Sequence, residues 1–191
     1  MGSGKTALAT YFVQRYGYRR LSFATAVRRV LYALSPEMAD APKAEQRAWL
    51  QKVGDGLRAV DENIWVTFLL KDLAALAPGT PWVVDDCRRL NEWYALVDQG
   101  AVPIVLDCPV EVRRQRIMAR DGAWDPNTVY HASEVQARDL VERMPTEGLI
   151  FFDDASPDLS HLDAEAQQEA IFRYWDEHDT MDYVRNFVED N

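Results

Sequence analysis

An α/β fold, with a parallel sheet covered by helices, is the fold class that the sequence predicts from three observations. Gly4-Lys5-Thr6 stands at the mouth of a helical stretch. The apolar runs at 82–86 and 102–107 have the continuity of buried parallel strands, and a helical stretch between them completes a strand–helix–strand unit. The chain has 191 residues, of which 48% are apolar, enough for one such domain with a full core.

The first six residues carry the clearest chemical signal. Gly4-Lys5-Thr6 matches the second half of the phosphate-binding loop G-x-x-x-x-G-K-[ST]. In that loop glycines turn backbone N–H groups toward an anion, the lysine reaches the β- and γ-phosphates, and the threonine hydroxyl ligates Mg²⁺. The pattern therefore predicts binding of ATP and Mg²⁺ by Gly2, Ser3, Gly4, Lys5 and Thr6.

The first glycine of the loop and the apolar strand that normally precedes it do not occur before Gly4. Three explanations stay open: a start codon further upstream, a shortened chain, or an improvised loop. The competing interpretation is that Gly2-Ser3-Gly4 is only a flexible leader.

Periodicity and turn residues predict the order of the elements. After a first helix that ends at Gly17, we expect helices at 24–34, 44–53 and 62–76, a helix that opens within 86–92 and runs to Gly100, and helices from Pro109, at 135–144 and at 164–175. Strands are expected at 18–23, 82–86, 102–107 and 149–154, with loops at 35–43, 78–81 and 121–131 and a break at Gly54-Asp55-Gly56.

Composition narrows the class of protein. A net charge of −10 disfavours broad adhesion to nucleic acid or anionic lipid, whereas the arginines are bunched, as in Arg88-Arg89, which suits small phosphorylated ligands. No apolar run approaches a transmembrane helix or a signal peptide, so we expect a cytoplasmic protein without a membrane partner. Cys87 and Cys108 are interpreted as core residues of a reducing compartment.

Two further groups are candidates for phosphoryl chemistry. Asp86 ends the apolar run at 82–86, the position at which a strand-tip carboxylate holds Mg²⁺ in phosphate-loop proteins. Arg113, Arg116 and Arg120 recur at helical spacing and share one face. That face is either a solvated helix surface or a set of arginines that closes over a transferred phosphoryl group.

The order of these signals resembles the phage-type deoxynucleoside monophosphate kinases, members of the P-loop nucleoside monophosphate kinases. The resemblance covers about residues 1–171. It rests on Gly4-Lys5-Thr6, on Leu-Ser-Phe-Ala at 21–24 with Arg28, on 50–58 followed by Asn-Ile-Trp-Val at 63–66, on Val-x-Asp-x-Arg-x-x-Asn-Glu at 84–92, on the arginine-rich helix, on His-Ala-Ser-Glu at 131–134, and on 149–154.

The resemblance implies a three-layer P-loop fold that transfers the γ-phosphate of ATP to a deoxynucleoside 5′-monophosphate. It implies a kinase domain at 1–175, with an acceptor-binding helical insertion at about 35–78 and an arginine-rich lid at about 110–133, and an acidic tail or helix at 176–191. By the same resemblance, catalytic roles fall to Lys5, Asp86, Arg88, Arg116 and Arg120, acceptor binding to Arg28, Arg58 and Arg88, and Mg²⁺ to Thr6 and Asp86. We expect Lys5, Asp86, Arg88 and Arg116 to line one crevice.

Three departures from the family pattern stand out. Arg28 replaces a more frequent lysine, His131-Ala132 lacks the usual proline, and the first strand and first glycine are absent. That strand is central in such sheets, so its absence is expected to deprive the strands on either side of a partner, unless another segment replaces it.

Other functions remain open on the sequence. Related phage kinases phosphorylate hydroxymethylated pyrimidines within DNA, which would require a local basic groove. Other P-loop kinases act on dephospho-coenzyme A or a sugar acid. A catalytically inactive nucleotide-binding or interaction module is a further alternative. Six tryptophans and eight tyrosines leave room for a homodimer contact.

Overall fold

The computed structural model describes residues 3–122, 124, 149–152 and 164–177. The chain divides into two compact units, Met1–Tyr11 with Leu96–Asn191, and Phe12–Ala95. The predicted helix at 135–144, the motif at 131–134 and most of the tail lie outside the described residues. None of the helices in the described part is both long and apolar enough to cross a membrane.

The described elements follow the predicted order closely. The helices are α1 (Lys5–Tyr16), α2 (Phe23–Leu34), α3 (Lys43–Val60), α4 (Ile64–Ala74), α5 (Leu90–Val97), α6 (Val110–Asp121) and α7 (Ala164–Glu177), with a 3₁₀ turn at Pro36–Ala39. The strands are β1 (Arg19–Leu21), β2 (Trp82–Val84), β3 (Ile104–Asp107) and β4 (Leu149–Phe152). Gly17 has a φ of 72°, the left-handed conformation expected after a helix C-terminus.

The four strands form two separate parallel pairs in the part of the chain that the structure describes. β1 pairs with β2 in the unit Phe12–Ala95, and β3 pairs with β4 in the other unit. Parallel pairing confirms the α/β prediction.

The unit Phe12–Ala95 buries one face of α2 against α3 and α4. The buried residues of α2 are Phe23, Ala26, Val27 and Leu31, at the spacing of a single helix face. From α4, Trp65 and Leu69 complete this core. An ion pair between Arg29 and Asp72 also joins α2 to α4 at the surface.

The predicted break at Gly54-Asp55-Gly56 was wrong, because α3 continues through it to Val60. The Gly54 carbonyl accepts a hydrogen bond of 3.0 Å from the indole Nε1–H of buried Trp65. Packing against α4 therefore offsets the low helix propensity of the two glycines. The continuous helix carries Asp55 and Arg58 on one rigid element.

Replacing Gly56 with alanine is expected to raise the free energy of unfolding by about 0.5–1 kcal/mol, because alanine loses less backbone entropy in a helix. A Cβ atom at Gly56 would meet nothing within 4 Å. Urea unfolding followed by circular dichroism measures the change. Gly79, at a φ of 77°, provides the control, since Gly79→Ala should destabilise the protein.

In the other unit, α7 extends through Glu177 and so passes the predicted end at Trp175. Tyr11 is buried there, with its ring edge-on to Phe172 at 5.1 Å and to Trp175 at 5.6 Å between centroids. The Tyr11 hydroxyl donates a hydrogen bond to Asp176 Oδ1. Asp176, expected in the tail, is thus part of a helix that packs against Tyr11 of α1.

Candidate phosphate-binding and arginine–carboxylate sites

The loop before α1 has the local geometry of the second half of a phosphate loop. Gly4 has a φ of 87°, and Lys5 is the first residue of α1. The Gly4 carbonyl accepts the N–H of Leu8 at 2.9 Å, so the helix begins directly after the glycine. The Lys5 ammonium folds back to donate to the hydroxyl of buried Ser3 at 2.8 Å. The ammonium therefore lies over the loop, where an anion at the helix N-terminus would be bound.

These residues fit the phosphate groups of ATP. A left-handed residue followed by a helical one turns successive N–H groups to the same side, and the first N–H groups of a helix lack acceptors within it. The helix dipole adds partial positive charge there. Thr6 is exposed at this end of α1 and would offer its hydroxyl to Mg²⁺. Gly2, also predicted to contact ATP, lies outside the described residues.

At the carboxyl end of the β1–β2 pair, both aspartates after β2 contact the neighbouring chain segment. The Asp85 side chain is 5% exposed and accepts two hydrogen bonds from Arg20 of β1, at 3.1 Å from Nε and 2.6 Å from Nη2. Asp86 accepts from the Ser22 hydroxyl at 2.7 Å and from the N–H groups of Phe23 and Ala24 at 3.0 and 2.9 Å. Asp86 thus caps the N-terminus of α2 in place of the Ser22 side chain, which makes no cap bond of its own.

Replacing Asp86 with alanine is expected to lower the free energy of unfolding by about 2 kcal/mol, because an N-cap and a charge-assisted hydrogen bond are lost together. Thermal unfolding without nucleotide or Mg²⁺ measures this effect separately from any role in metal binding. The control is Asp40→Ala, at an exposed position. Equal stability of the Asp86 variant and the wild type would contradict the capping role.

A second group of charges joins α3 to the start of α5. Glu92 is 3% exposed, and its Oε1 accepts from Arg58 Nη2 at 3.1 Å. Its Oε2 accepts the backbone N–H groups of Arg88 and Arg89 at 2.9 and 3.2 Å. Glu92 occupies the third position of α5, from which a glutamate reaches back to the residue before the helix. The structure thereby brings the guanidinium of Arg58 and the backbone of Arg88, two residues predicted to bind the acceptor, to one carboxylate.

Burial raises the pKa of two side chains in this region, Glu92 and Cys87. Desolvation raises the pKa of Glu92, although the Arg88 N–H and the Arg58 guanidinium oppose the rise. Burial also raises the pKa of Cys87 to about 12, with further contributions from the negative charges of Glu92 and Asp86. Cys87 therefore stays a thiol near neutral pH. Of the two cysteines predicted to be core residues, Cys108 is buried and Cys87 is partly buried.

The remaining predicted arginines belong to two helices, α2 and α6. Arg28 is exposed on α2. Arg116 of α6 approaches the buried Cys108 sulfur, at 3.6 Å from Nη1. The Nε atom of Arg113 is buried and makes no hydrogen bond to any described residue. The side chain of Arg120 and lid residues 125–133 lie outside the described part of the chain.

Lys5, Thr6 and Arg116 belong to one unit, whereas Asp86, Arg88 and Arg58 belong to the other. The expectation that they line one crevice stays a prediction. In the described ranges, no group of three or more His, Cys, Asp or Glu side chains could hold a metal ion. A magnesium site of the predicted kind uses one hydroxyl, one carboxylate and phosphate oxygens, and needs no such group.

The arginine–carboxylate group consists of Asp55, Arg58, Arg88, Arg89 and Glu92, because Asp55 also forms ion pairs with Arg58 and Arg89. Asp55, Arg89 and Glu92 were absent from the predicted site. Glu92 had a usable signal, because a glutamate at the third position of a helix is typical of a capping box. Asp55 was missed because the two glycines that flank it predicted a break in the helix at this position. Arg89 was noted only as half of an arginine pair.

Comparison with known proteins supports the phosphate-loop interpretation. A family profile described as AAA domain matches residues 1–143, which include the Gly4-Lys5-Thr6 loop, both aspartates after β2 and all of α6. This P-loop NTPase-like family includes nucleotide kinases. A search of curated proteins found no match. Because the profile covers most of the chain, the protein belongs to the AAA-domain family of P-loop NTPase-like proteins.

Proposed function

We propose that this protein is an ATP-dependent kinase that phosphorylates a deoxynucleoside 5′-monophosphate, with Mg²⁺ as cofactor. The observation that carries the proposal is the combination of Gly4 at positive φ and Lys5 at the first residue of α1, within the AAA-domain match. Nucleotide binding at that loop is common to the family. Transfer to a small acceptor is the step that the arginine–carboxylate group supports.

Arg58 and the loop that contains Arg88 supply positive charge outside the phosphate loop. Arg58 is 20% exposed at its side chain, so it remains within reach of a ligand while Glu92 holds one of its nitrogens. A guanidinium held in this way can bind a phosphate monoester through its remaining N–H groups. This suits a small phosphorylated acceptor, which brings its own dianion.

The reaction needs alignment and charge neutralisation more than acid–base chemistry. A phosphate monoester oxygen is already anionic, so no general base has to remove a proton from it. ATP bound with Mg²⁺ supplies the phosphoryl group. Lys5 would stabilise charge on the phosphates, Thr6 and Asp86 would hold Mg²⁺, and Arg58 and Arg88 would orient the acceptor. Arg116 and Arg120 are proposed to neutralise charge during transfer.

The test is transfer of ³²P from [γ-³²P]ATP to each of the four deoxynucleoside 5′-monophosphates, with Mg²⁺ and with EDTA. We expect a labelled diphosphate from at least one acceptor, formed only with Mg²⁺. DNA that contains hydroxymethyluracil serves as a parallel acceptor. Labelling of that DNA alone would overturn the proposed acceptor and favour the DNA-modifying alternative.

Thermal unfolding with Mg·ATP distinguishes an inactive nucleotide-binding module from a protein that does not bind ATP. A ligand at 100 times its Kd stabilises the folded state by about 2.7 kcal/mol. A shift without transfer to any acceptor would favour the inactive module. No shift at millimolar Mg·ATP would also contradict the assignment of the Gly4-Lys5-Thr6 loop.

A further inference from the structure

One mostly exposed carboxylate, that of Asp55, contacts both Arg58 and Arg89. Asp55 Oδ1 lies 3.5 Å from Arg58 Nη1 and 3.5 Å from Arg89 Nη2. The Asp55 side chain is 59% exposed, against 20% for Arg58 and 25% for Arg89. One anionic oxygen therefore lies between two guanidinium groups on the accessible side of the cluster.

Glu92 contacts the same arginines from the buried side, and its contacts are of a different kind. Its side chain is 4% exposed, and it accepts from the Arg58 guanidinium and from the N–H groups of Arg88 and Arg89. Both carboxylate oxygens are used. Removal of one partner from such a buried group leaves the other charge uncompensated, so Glu92 is a fixed part of the fold.

The Asp55 contacts are long and exposed, so little free energy is lost when they are exchanged for another anion. A phosphate monoester carries more charge than a carboxylate and offers three oxygens to the two guanidinium groups. It would therefore compete well for the position of Asp55 Oδ1. The same exchange would leave the contacts of Glu92 unchanged.

Building on the proposed function, we propose that Arg58 and Arg89 together bind the 5′-phosphate of the acceptor. Glu92 is the positioning residue for this pair. Asp55 occupies the phosphate position until the acceptor displaces it. Asp55 and Glu92 then have opposite effects on acceptor binding. Asp55 competes with the phosphate, whereas Glu92 holds the Arg58 guanidinium and the Arg89 backbone in place.

The decisive variant is Asp55→Asn, which removes the competing charge at an exposed position. We expect the KM for the best deoxynucleoside monophosphate to fall by about 3- to 10-fold, because a weak exposed ion pair no longer opposes binding. The KM for ATP should not change. Glu45→Gln is the matched control, since it removes one exposed carboxylate from the same helix.

Glu92→Gln should act in the opposite direction and raise the acceptor KM by about 10-fold or more, with the KM for ATP unchanged, because Arg58 loses its charged partner. Arg89→Gln should also raise the acceptor KM. An unchanged or raised acceptor KM in Asp55→Asn would overturn the proposal, whatever the behaviour of Glu92→Gln.

Binding of inorganic phosphate, measured by isothermal titration calorimetry without ATP, separates this inference from the proposed function. Tighter phosphate binding by Asp55→Asn than by the wild type and Glu45→Gln would support the arginine pair even if no acceptor were phosphorylated. Equal binding by all three proteins would overturn it, even if the wild type proved to be an active kinase.

Discussion

Replacement of Lys5 with methionine is expected to reduce kcat for phosphoryl transfer by about 100- to 1,000-fold, the cost of removing one preorganised charge from a transition state. Methionine keeps the length and apolar stem of the side chain but removes the ammonium that lies over the loop at Ser3. The measurement is steady-state production of ADP in the presence of the best acceptor. The effect should appear in kcat more than in the acceptor KM, because Lys5 is assigned to the phosphates of ATP.

Lys52→Met is the matched control for this experiment. Lys52 is an exposed lysine of α3 whose ammonium lies 5.3 Å from the centre of the Trp49 ring, far in sequence from the phosphate loop. Its replacement changes the net charge by the same amount and should leave kcat within about twofold, as expected for an exposed side chain without a catalytic role. Wild-type kcat in Lys5→Met would refute the role of the loop in catalysis.

Replacement of Trp65 with alanine is expected to lower the free energy of unfolding by about 3–5 kcal/mol, as for other large aromatic residues in cores. Trp65 is 1% exposed, and its ring centre lies 5.9 Å from that of Phe68. The change leaves a cavity and deprives the Gly54 carbonyl of its indole donor. Chemical unfolding in urea measures the loss.

Two further variants make this prediction specific. Trp49→Ala removes the same side chain from α3, where it is 41% exposed, and should cost less than about 1 kcal/mol. Trp65→Phe keeps an aromatic ring but removes the N–H donor, and should cost an intermediate amount if the alanine variant does not fold. Similar losses for Trp65→Ala and Trp49→Ala would contradict the assigned core.

Local sequence patterns located most elements because their signals are short-range. The apolar face of α2, the glycine at the end of α1 and the proline before α6 depend on neighbours in the chain. The continuity of α3 could not be read in this way. Its two glycines are unfavourable locally, and the bond from Trp65 to Gly54 depends on a residue eleven positions away.

In the candidate site, too, local patterns identified single residues, whereas contacts between distant segments could not be predicted. Lys5 and Arg58 were found by motif and resemblance, whereas the surroundings of Arg58 were not. Glu92 is thirty-four residues from Arg58, and only folding makes one its buried partner. Asp86 was predicted to end a strand at 82–86, whereas β2 ends at Val84 and Asp86 follows it. Its three hydrogen bonds to the start of α2 depend on the pairing of β1 with β2.

By itself, the sequence determined the α/β class and the order of the described elements and located the candidate phosphate loop at Gly4-Lys5-Thr6, because periodicity and short motifs report interactions between residues close in the chain. Only the tertiary structure decided which carboxylates the arginines meet and how far each is buried. Ion pairs such as Arg58–Glu92 form between distant segments, and their strength depends on the solvent that packing excludes.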